Sequence, residues 1–170
     1  MDAMTEQERI QATEQNADVL IAMLEHNHLK YQIAEQTPQR TYVKIHFTGN
    51  DLPMTLHIML RTDKQIVSVI SPMPFRMKEE VIPDAALGVA AANHGLIDGS
   101  FDLNLYTGEI RFRLTSCFRG TVLSEELFSY LMYISAETVD RYNDRFKGLN
   151  DGTMDIQSFL DADAADEGRP

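Results

Sequence analysis

Two stretches of the chain alternate apolar and polar residues in the way that paired β-strands do. Residues 101–105 and 110–114 each carry an apolar side chain at every second position, and Thr107-Gly108 lies between them. A period of two places the apolar side chains on one face of a sheet, and Gly108 suits a tight turn because glycine tolerates positive φ. We therefore predict a hairpin with a two-residue turn. Its predicted cross-strand pairs are Leu105 with Ile110, Leu103 with Phe112, Phe101 with Leu114 and Asp102 with Arg113.

A second pair of alternating stretches precedes the first. Residues 42–47 and 55–61 flank a break at Gly49-Asn50-Asp51, and their apolar faces predict a second hairpin. Its predicted pairs are Phe47 with Leu56, Ile45 with Ile58 and Val43 with Leu60, which would make His46 and His57 cross-strand neighbours. Residues 65–71 follow as a third strand. Because this strand is apolar on both sides, we expect it in a central position of the sheet.

Prolines and a short alternation of apolar and polar residues predict the structure of further segments. The segment Ser71 to Val81 is predicted to be a connector, since Pro72 and Pro74 discourage both a helix and an inner strand. Apolar residues also alternate briefly over 29–33, and the residues 36–40 that follow contain a proline. We interpret 29–33 as a short strand-like run and 36–40 as a loop.

The remaining chain has helical periodicity. The first helix is predicted from Thr5 to His26, and a slim, alanine-rich helix begins at Pro83 and ends where Gly95 adopts a left-handed conformation. Ser124 is the predicted N-cap of a long helix that continues to about Lys147. Its neighbours Leu123 and Phe128 have the spacing of a hydrophobic staple.

These elements predict an α+β fold of the order α-βββ-α-ββ-α, with an antiparallel sheet of about five strands and helices on one face. One domain would span residues 1–152, with residues 1–15 prone to fraying. Residues 153–170 would form a short helix followed, from Asp161, by a flexible acidic tail.

Composition and charge narrow the function. The 170 residues carry a net charge of −11, and no basic stripe is visible along the sequence, so phosphate backbones are unfavourable partners. The one cysteine, Cys117, excludes an intramolecular disulfide and fits a structural role. No apolar run is long enough to span a membrane and the N-terminus is polar and acidic, so we expect a cytoplasmic protein.

Few residues suggest metal binding or catalysis. If His46 and His57 were adjacent, two imidazoles could bind a metal ion, but no third ligand follows at a telling spacing, so we predict ordinary surface histidines and no metal site. Asp102 and Arg113 are interpreted as an ion pair. Phosphate-binding, nucleotide-binding and catalytic motifs are absent from the sequence, so we predict no cofactor, no catalytic residues and no enzyme activity.

The region from Asn93 onward resembles the YbjN family of bacterial proteins. The resemblance is carried by Asn93, by the pattern Gly99-x-Phe101-x-Leu103, by Thr107-Gly108-x-Ile110-x-Phe112-Arg113, and by Leu123-Ser124-x-Glu126 at the start of a long helix that contains Asp140 and Tyr142. It extends over about residues 20–152. It implies a fold like that of type III secretion chaperones and a role in sensory-transduction regulation or as a chaperone, often as a dimer, and it carries over no catalytic residue.

We therefore expect a non-enzymatic, chaperone-like or regulatory protein that binds a protein partner as a homodimer, without nucleic acid or membrane. The binding surface would be the outer sheet face or a strand edge. Candidate partner-binding residues on that face are Tyr42, His46, His57, Met59, Arg111 and Arg113. Two alternatives stay open, namely a small-molecule-binding domain or small enzyme with a pocket under residues 71–81, and a nucleic-acid regulator, which the net charge opposes.

Overall fold

A single antiparallel sheet of six strands organises the molecule. The computed structural model describes residues 4–48 and 52–166. Its elements are α1 (Glu6–His26), β1 (Tyr31–Thr37), β2 (Arg40–Thr48), β3 (Pro53–Arg61), β4 (Ile66–Arg76), a 3₁₀ turn (Glu79–Val81), α2 (Ile82–Gly95), β5 (Ser100–Leu103), β6 (Glu109–Cys117), α3 (Glu125–Asp151) and α4 (Ile156–Asp166). The strands lie in the order β1-β2-β3-β4-β6-β5. The predicted α+β class is confirmed.

The extra strand is β1, which forms a hairpin with β2. Thr37 pairs with Arg40, so only Pro38 and Gln39 connect the two strands. The proline that indicated a loop therefore occupies a tight turn, where a fixed φ is favourable. The sequence segment predicted as a loop over residues 36–40 consists mostly of strand ends.

The predicted connector Ser71–Val81 was wrong over its first half, because β4 continues to Arg76. The pairing of β3 with β4 stops at His57 and Ile70, before either proline is reached. Beyond that point β4 pairs with β6 only, through Pro72 with Arg111 and, after an irregularity, Arg76 with Glu109. Proline is tolerated there because that part of β4 has a neighbour on one side only.

Both predicted hairpin registers were wrong by two residues. The structure pairs Ile45 with Leu56 and Val43 with Ile58 in one hairpin, and Phe101 with Phe112 and Leu103 with Ile110 in the other. In the second hairpin the turn is longer than predicted, since the Gly108 amide donates to the Asn104 carbonyl and the Asn104 amide donates to the Glu109 carbonyl. A shift of two leaves every side chain on its predicted face. The predicted break at Gly49-Asn50-Asp51 lies outside the described residues.

The core lies between the sheet and the helices. α1 packs on β2 and β3, α3 packs on β3, β4 and β6, and α2 packs on β5. Aromatic rings fill the centre, where the ring of Phe101 lies against those of Phe112, Tyr142 and Phe146. The ring of Phe159, on α4, has its centroid 5.1 Å from that of Phe146. The helices therefore cover one face of the sheet, as predicted.

Local signals set most helix ends. Thr5 caps α1 in a capping box with Glu8, and the Ser124 hydroxyl accepts the Leu127 amide at the start of α3. The predicted left-handed stop at Gly95 was wrong, because Gly95 is helical. The next glycine, Gly99, has positive φ instead, and a Cβ on it would lie 2.3 Å from the Phe112 ring.

The C-terminal part differs from the predicted flexible tail. Asp161 to Asp166 belong to α4, where Asp163 is buried and accepts a hydrogen bond from the Tyr142 hydroxyl at 2.6 Å. This polar contact holds the helix on the core although its sequence is acidic. Residues 167–170 lie outside the described residues, and the predicted domain division at residue 152 stays a prediction.

Candidate functional site

The sheet has one covered face and one open face. We use the term open face for the outward-pointing residues of β2 to β6. In β3 the two faces alternate without exception: Leu56, Ile58 and Leu60 are at most 1% exposed, whereas His57 and Met59 between them are half-buried. The six residues predicted to bind a partner, Tyr42, His46, His57, Met59, Arg111 and Arg113, all lie on the open face.

A tyrosine–histidine pair forms one half of this site. The Tyr42 hydroxyl lies 2.6 Å from His57 Nδ1, and the two rings stack with centroids 5.9 Å apart. Burial lowers the pKa of His57, and the nearby Lys44 and His46 lower it further. The neutral imidazole of His57 is therefore favoured, and its contact with the Tyr42 hydroxyl fixes its orientation on the face.

The predicted pairing of His46 with His57 was wrong as a result of the register shift. His46 lies opposite Thr55 and contacts its hydroxyl at 3.0 Å, while His57 lies opposite Lys44. Over residues 4–48 and 52–166, no group of three or more histidine, cysteine, aspartate or glutamate side chains could hold a metal ion. The two imidazoles are therefore not directly opposite each other on the sheet.

An arginine–carboxylate cluster forms the other half of the site. Asp102 accepts two hydrogen bonds from Arg113, at 2.9 and 3.1 Å, and one from Arg111 at 3.4 Å. The hydrogen bonds from Arg113 lower the pKa of Asp102, and partial burial opposes this effect. Asp102 lies opposite Arg111 and diagonal to Arg113, so the predicted ion pair forms although its predicted register was wrong.

One cross-strand row connects the two clusters. Lys44 lies opposite His57, His57 opposite Ile70, and Ile70 opposite Arg113. Because neighbouring strands are about 4.8 Å apart, the backbones of Lys44 and Arg113 are separated by about 14 Å. Met59 lies in the adjacent row, opposite Ser68. The open face therefore has cations at both ends and apolar side chains between them.

Sequence reasoning missed several members of this face. Lys44, Arg61 and Ile70 share its side of the sheet but were not predicted as site residues. The period-two alternation already placed Lys44 and Arg61 on the polar side, so that signal could have found them. Ile70 could not be found this way, because its strand is apolar on both sides.

Shallow depressions surround the open face. One of about 700 Å³ is lined by Glu35, Gln39, Arg40, Met59, Arg61 and Asp63, and one of about 430 Å³ lies between Asp102, Arg111 and the β5–β6 turn. A third, of about 320 Å³, lies over Pro72 to Arg76, where a pocket was considered from the sequence. Its charged groups are Arg76 and Glu109, 3.9 Å apart. This depression is open and has few polar side chains. It therefore does not place several polar groups close together around a ligand.

The two edges of the sheet differ from the open face. At the β5 edge, the side-chain amide of Asn93 takes the place of a neighbouring strand, because Phe101 donates its N–H to Asn93 Oδ1 at 2.7 Å and accepts from Nδ2 at 3.0 Å. At the other edge, β1 has an irregularity between Ile33 and Glu35. Both features obstruct the addition of a further strand.

Comparison with known proteins places this architecture in a family. The sequence profile of the YbjN family, described as "Putative bacterial sensory transduction regulator", matches residues 16–148. The chain belongs to the YbjN family. α4 and the first turns of α1 lie outside the matched region.

A solved YbjN structure has the same fold. It is titled "Crystal structure of YbjN, a putative transcription regulator from E. coli" and has 12% sequence identity with this chain. The superposition has a TM-score of 0.55 and covers 88% of this chain and 93% of that one. No curated protein sequence matches the chain.

The residues that carried the YbjN resemblance have structural explanations. Asn93 closes the β5 edge, Gly99 has positive φ against Phe112, and a Cβ on Gly108 would lie 2.2 Å from the Met77 carbonyl oxygen. These residues therefore specify the fold. Among the described residues, no helix has the length and apolarity needed to cross a membrane.

Proposed function

We propose that this YbjN-family chain is a non-enzymatic regulatory or chaperone-like protein that binds a protein partner on the open face of its sheet and acts as a homodimer. The observation that carries the proposal is the contrast between the faces. One is sealed by helices, and the other presents half-buried Tyr42, His57 and Met59 among charged side chains.

The composition of the open face fits a non-obligate interface. Such interfaces are about as apolar as ordinary surface, and tyrosine, methionine and arginine are enriched in them. Tyr42, Met59, Arg111 and Arg113 supply these residue types on rigid strands. Hydrogen bonds already fix Tyr42 on His57 and Arg113 on Asp102, so less side-chain entropy would be lost on binding.

The face is a better candidate than either edge of the sheet. Strand addition requires unpaired backbone groups along a regular edge. Asn93 occupies part of the β5 edge, and the irregularity in β1 breaks the other. We therefore place the partner across the strands instead of beside them.

A separate apolar area on the helical side supports self-association. Tyr130 and Tyr133 of α3 are 46% and 48% exposed, and Ile97 nearby is 98% exposed. The Tyr130 hydroxyl donates to Asp98, which brings the loop after α2 against α3. If this area forms the dimer, the mass from light scattering will be that of two chains, and Tyr133→Lys will reduce it to one.

Affinity capture tests the partner-binding face. Tagged protein is recovered from an extract of its native organism as wild type, as the double variant Met59→Glu/Ile70→Glu, and as the control Leu87→Glu on α2, where Leu87 is 55% exposed. We expect a stoichiometric partner with wild type and control, reduced at least about tenfold in the double variant. Equal capture by all three proteins, at equal melting temperature, would refute the assignment to this face.

A further inference from the structure

Charge is segregated between the two layers of the molecule. The four α-helices carry fifteen Asp or Glu and four Lys or Arg, a net charge of −11. The six strands carry three Asp or Glu and six Lys or Arg, a net charge of +3. An acidic protein with a pI near 4.8 therefore has one layer of the opposite sign.

This segregation was not visible along the sequence. Lys44, Arg61 and the pair Arg111 and Arg113 come from three separate strands, and strand pairing places them on one face. A surface of this kind cannot be recognised along the sequence, because its members come from different strands. The summed charge of such a face raises the local concentration of anionic groups.

Three cations of the open face are at least partly exposed and can contact a ligand, namely Lys44, Arg111 and Arg113. Lys44 has its ammonium 5.4 Å from the centre of the Tyr42 ring and makes no ion pair with a described residue. Arg111 contacts Asp102 through Nε at 3.4 Å, and its terminal nitrogens donate no hydrogen bond to a described residue. Arg111 and Arg113 each have more than 40% of the side chain exposed.

We propose that the partner segment which binds the open face is acidic and extended, with two carboxylates that flank an apolar side chain. This inference rests on the proposed function and specifies its partner. An extended chain advances about 3.4 Å per residue, so carboxylates four residues apart span about 14 Å. That distance matches Lys44 to Arg113 along the row, and the residue midway between them faces His57 and Ile70.

Asp102 already occupies part of this anion-binding surface. Its carboxylate accepts from both arginines, as a carboxylate of the partner would. Removing its charge frees both guanidinium groups. The variant Asp102→Asn will therefore bind the acidic segment more tightly than wild type, which a site without this role would not do.

A protein segment fits the face better than a nucleic acid. Nucleic-acid binding depends on many unpaired cations that each contact a phosphate. Here Arg40 and Arg61 already have carboxylate partners, and the helical layer would repel the rest of the polyanion. A short segment with two carboxylates and an apolar centre avoids that repulsion and uses Ile70 and Met59.

Two matched peptides provide the test. The probes are Ser-Glu-Ser-Leu-Ser-Glu-Ser and its Gln counterpart, titrated into the full chain at low salt and followed by NMR chemical shifts. We expect shifts on the open face and roughly tenfold tighter binding of the Glu peptide, from two exposed ion pairs. Asp102→Asn will strengthen binding a few-fold, and Lys44→Gln and Arg113→Gln will weaken it. The control Lys147→Gln, on α3, will leave it unchanged.

The outcomes separate this inference from the proposed function. If the Gln peptide binds as tightly, or if neither peptide shifts the open face while affinity capture still depends on Met59 and Ile70, the acidic class is wrong and the partner-binding face stands. If a seven-nucleotide single-stranded DNA shifts the face more than the Glu peptide, the face binds nucleic acid and the inference is overturned. If capture does not depend on the face and no peptide binds, both proposals fail.

Discussion

The two faces of the sheet are built from the same strands and serve opposite purposes. On the covered face, Leu56, Phe112 and Leu60 are fully buried, and the shape of the core decides which side chains fit. On the open face, His57, Met59 and Arg113 are partly exposed and make mainly polar contacts with their neighbours. The difference implies that substitutions on the covered face will affect stability, whereas those on the open face will affect binding.

The largest effect is expected from truncating a covered aromatic residue. Phe112→Ala removes a ring that packs against Phe101 at 5.3 Å, and we expect a loss of about 3–5 kcal/mol in the free energy of unfolding. Met59→Ala on the open face should cost less than about 1 kcal/mol. Urea unfolding followed by circular dichroism measures both. Similar losses in the free energy of unfolding for the two variants would mean that Met59 is packed as tightly as Phe112.

A smaller loss of stability is expected on removal of a tyrosine hydroxyl, and it should differ between two tyrosine–aspartate pairs. Tyr142→Phe leaves the buried Asp163 without its hydroxyl donor and should cost about 1–3 kcal/mol. The matched control Tyr130→Phe removes an exposed hydrogen bond to Asp98 and should cost less than about 1 kcal/mol. Equal costs would show that Asp163 is hydrated in solution.

The Tyr142–Asp163 pair also predicts that the stability of the protein depends on pH in the alkaline range. Burial raises the pKa of Tyr142 above its ordinary value, and the hydrogen bond to Asp163 adds to this effect. A raised pKa means that this stabilisation is complete below the unfolded value of about 10 and decreases as the pH rises above it. Unfolding at pH 9 and pH 11 should therefore show a loss in wild type that is smaller in Tyr142→Phe.

The smallest effect concerns the arginine–carboxylate cluster. The pKa of Asp102 is lowered by Arg113, so its stabilisation is present above the unfolded pKa and is lost as the pH falls through the folded value. NMR titration of the Asp102 carboxyl should give a pKa below the ordinary value, which Arg113→Gln moves upward. Because the side chains are partly exposed, the change in stability should be under about 1 kcal/mol. An ordinary pKa of Asp102 in the wild type would contradict this role of Arg113.

Sequence patterns predicted the faces better than the pairings. A period of two fixes which side of the sheet a residue occupies, so all six candidate residues were placed on the open face. It cannot fix register, because a shift of two preserves the faces. The Asn104–Gly108 turn and the β1–β2 hairpin depend on hydrogen bonds and tertiary pairing that alternation does not encode.

Helix starts were predicted because their signals are local. Thr5 with Glu8 and Ser124 with Leu127 form contacts within one turn. The docking of α4 could not be predicted, since it depends on Phe159 meeting Gly88 and Phe146 and on Asp163 meeting Tyr142. The cation-rich face was predicted only in part. Alternation places Arg111 and Arg113 on the open side, but their neighbourhood with Lys44 depends on how the strands pair.

Photo-crosslinking from the open face shows whether a second protein binds there in the cell. A benzoylphenylalanine replaces Met59 in one version of the protein and Leu87, on α2, in another, and cells of the native organism that express each are irradiated. We expect a discrete adduct with a second protein from position 59 and none from position 87. An adduct from position 87 alone, or none from position 59 when the protein is folded and expressed at its normal level, would contradict this expectation.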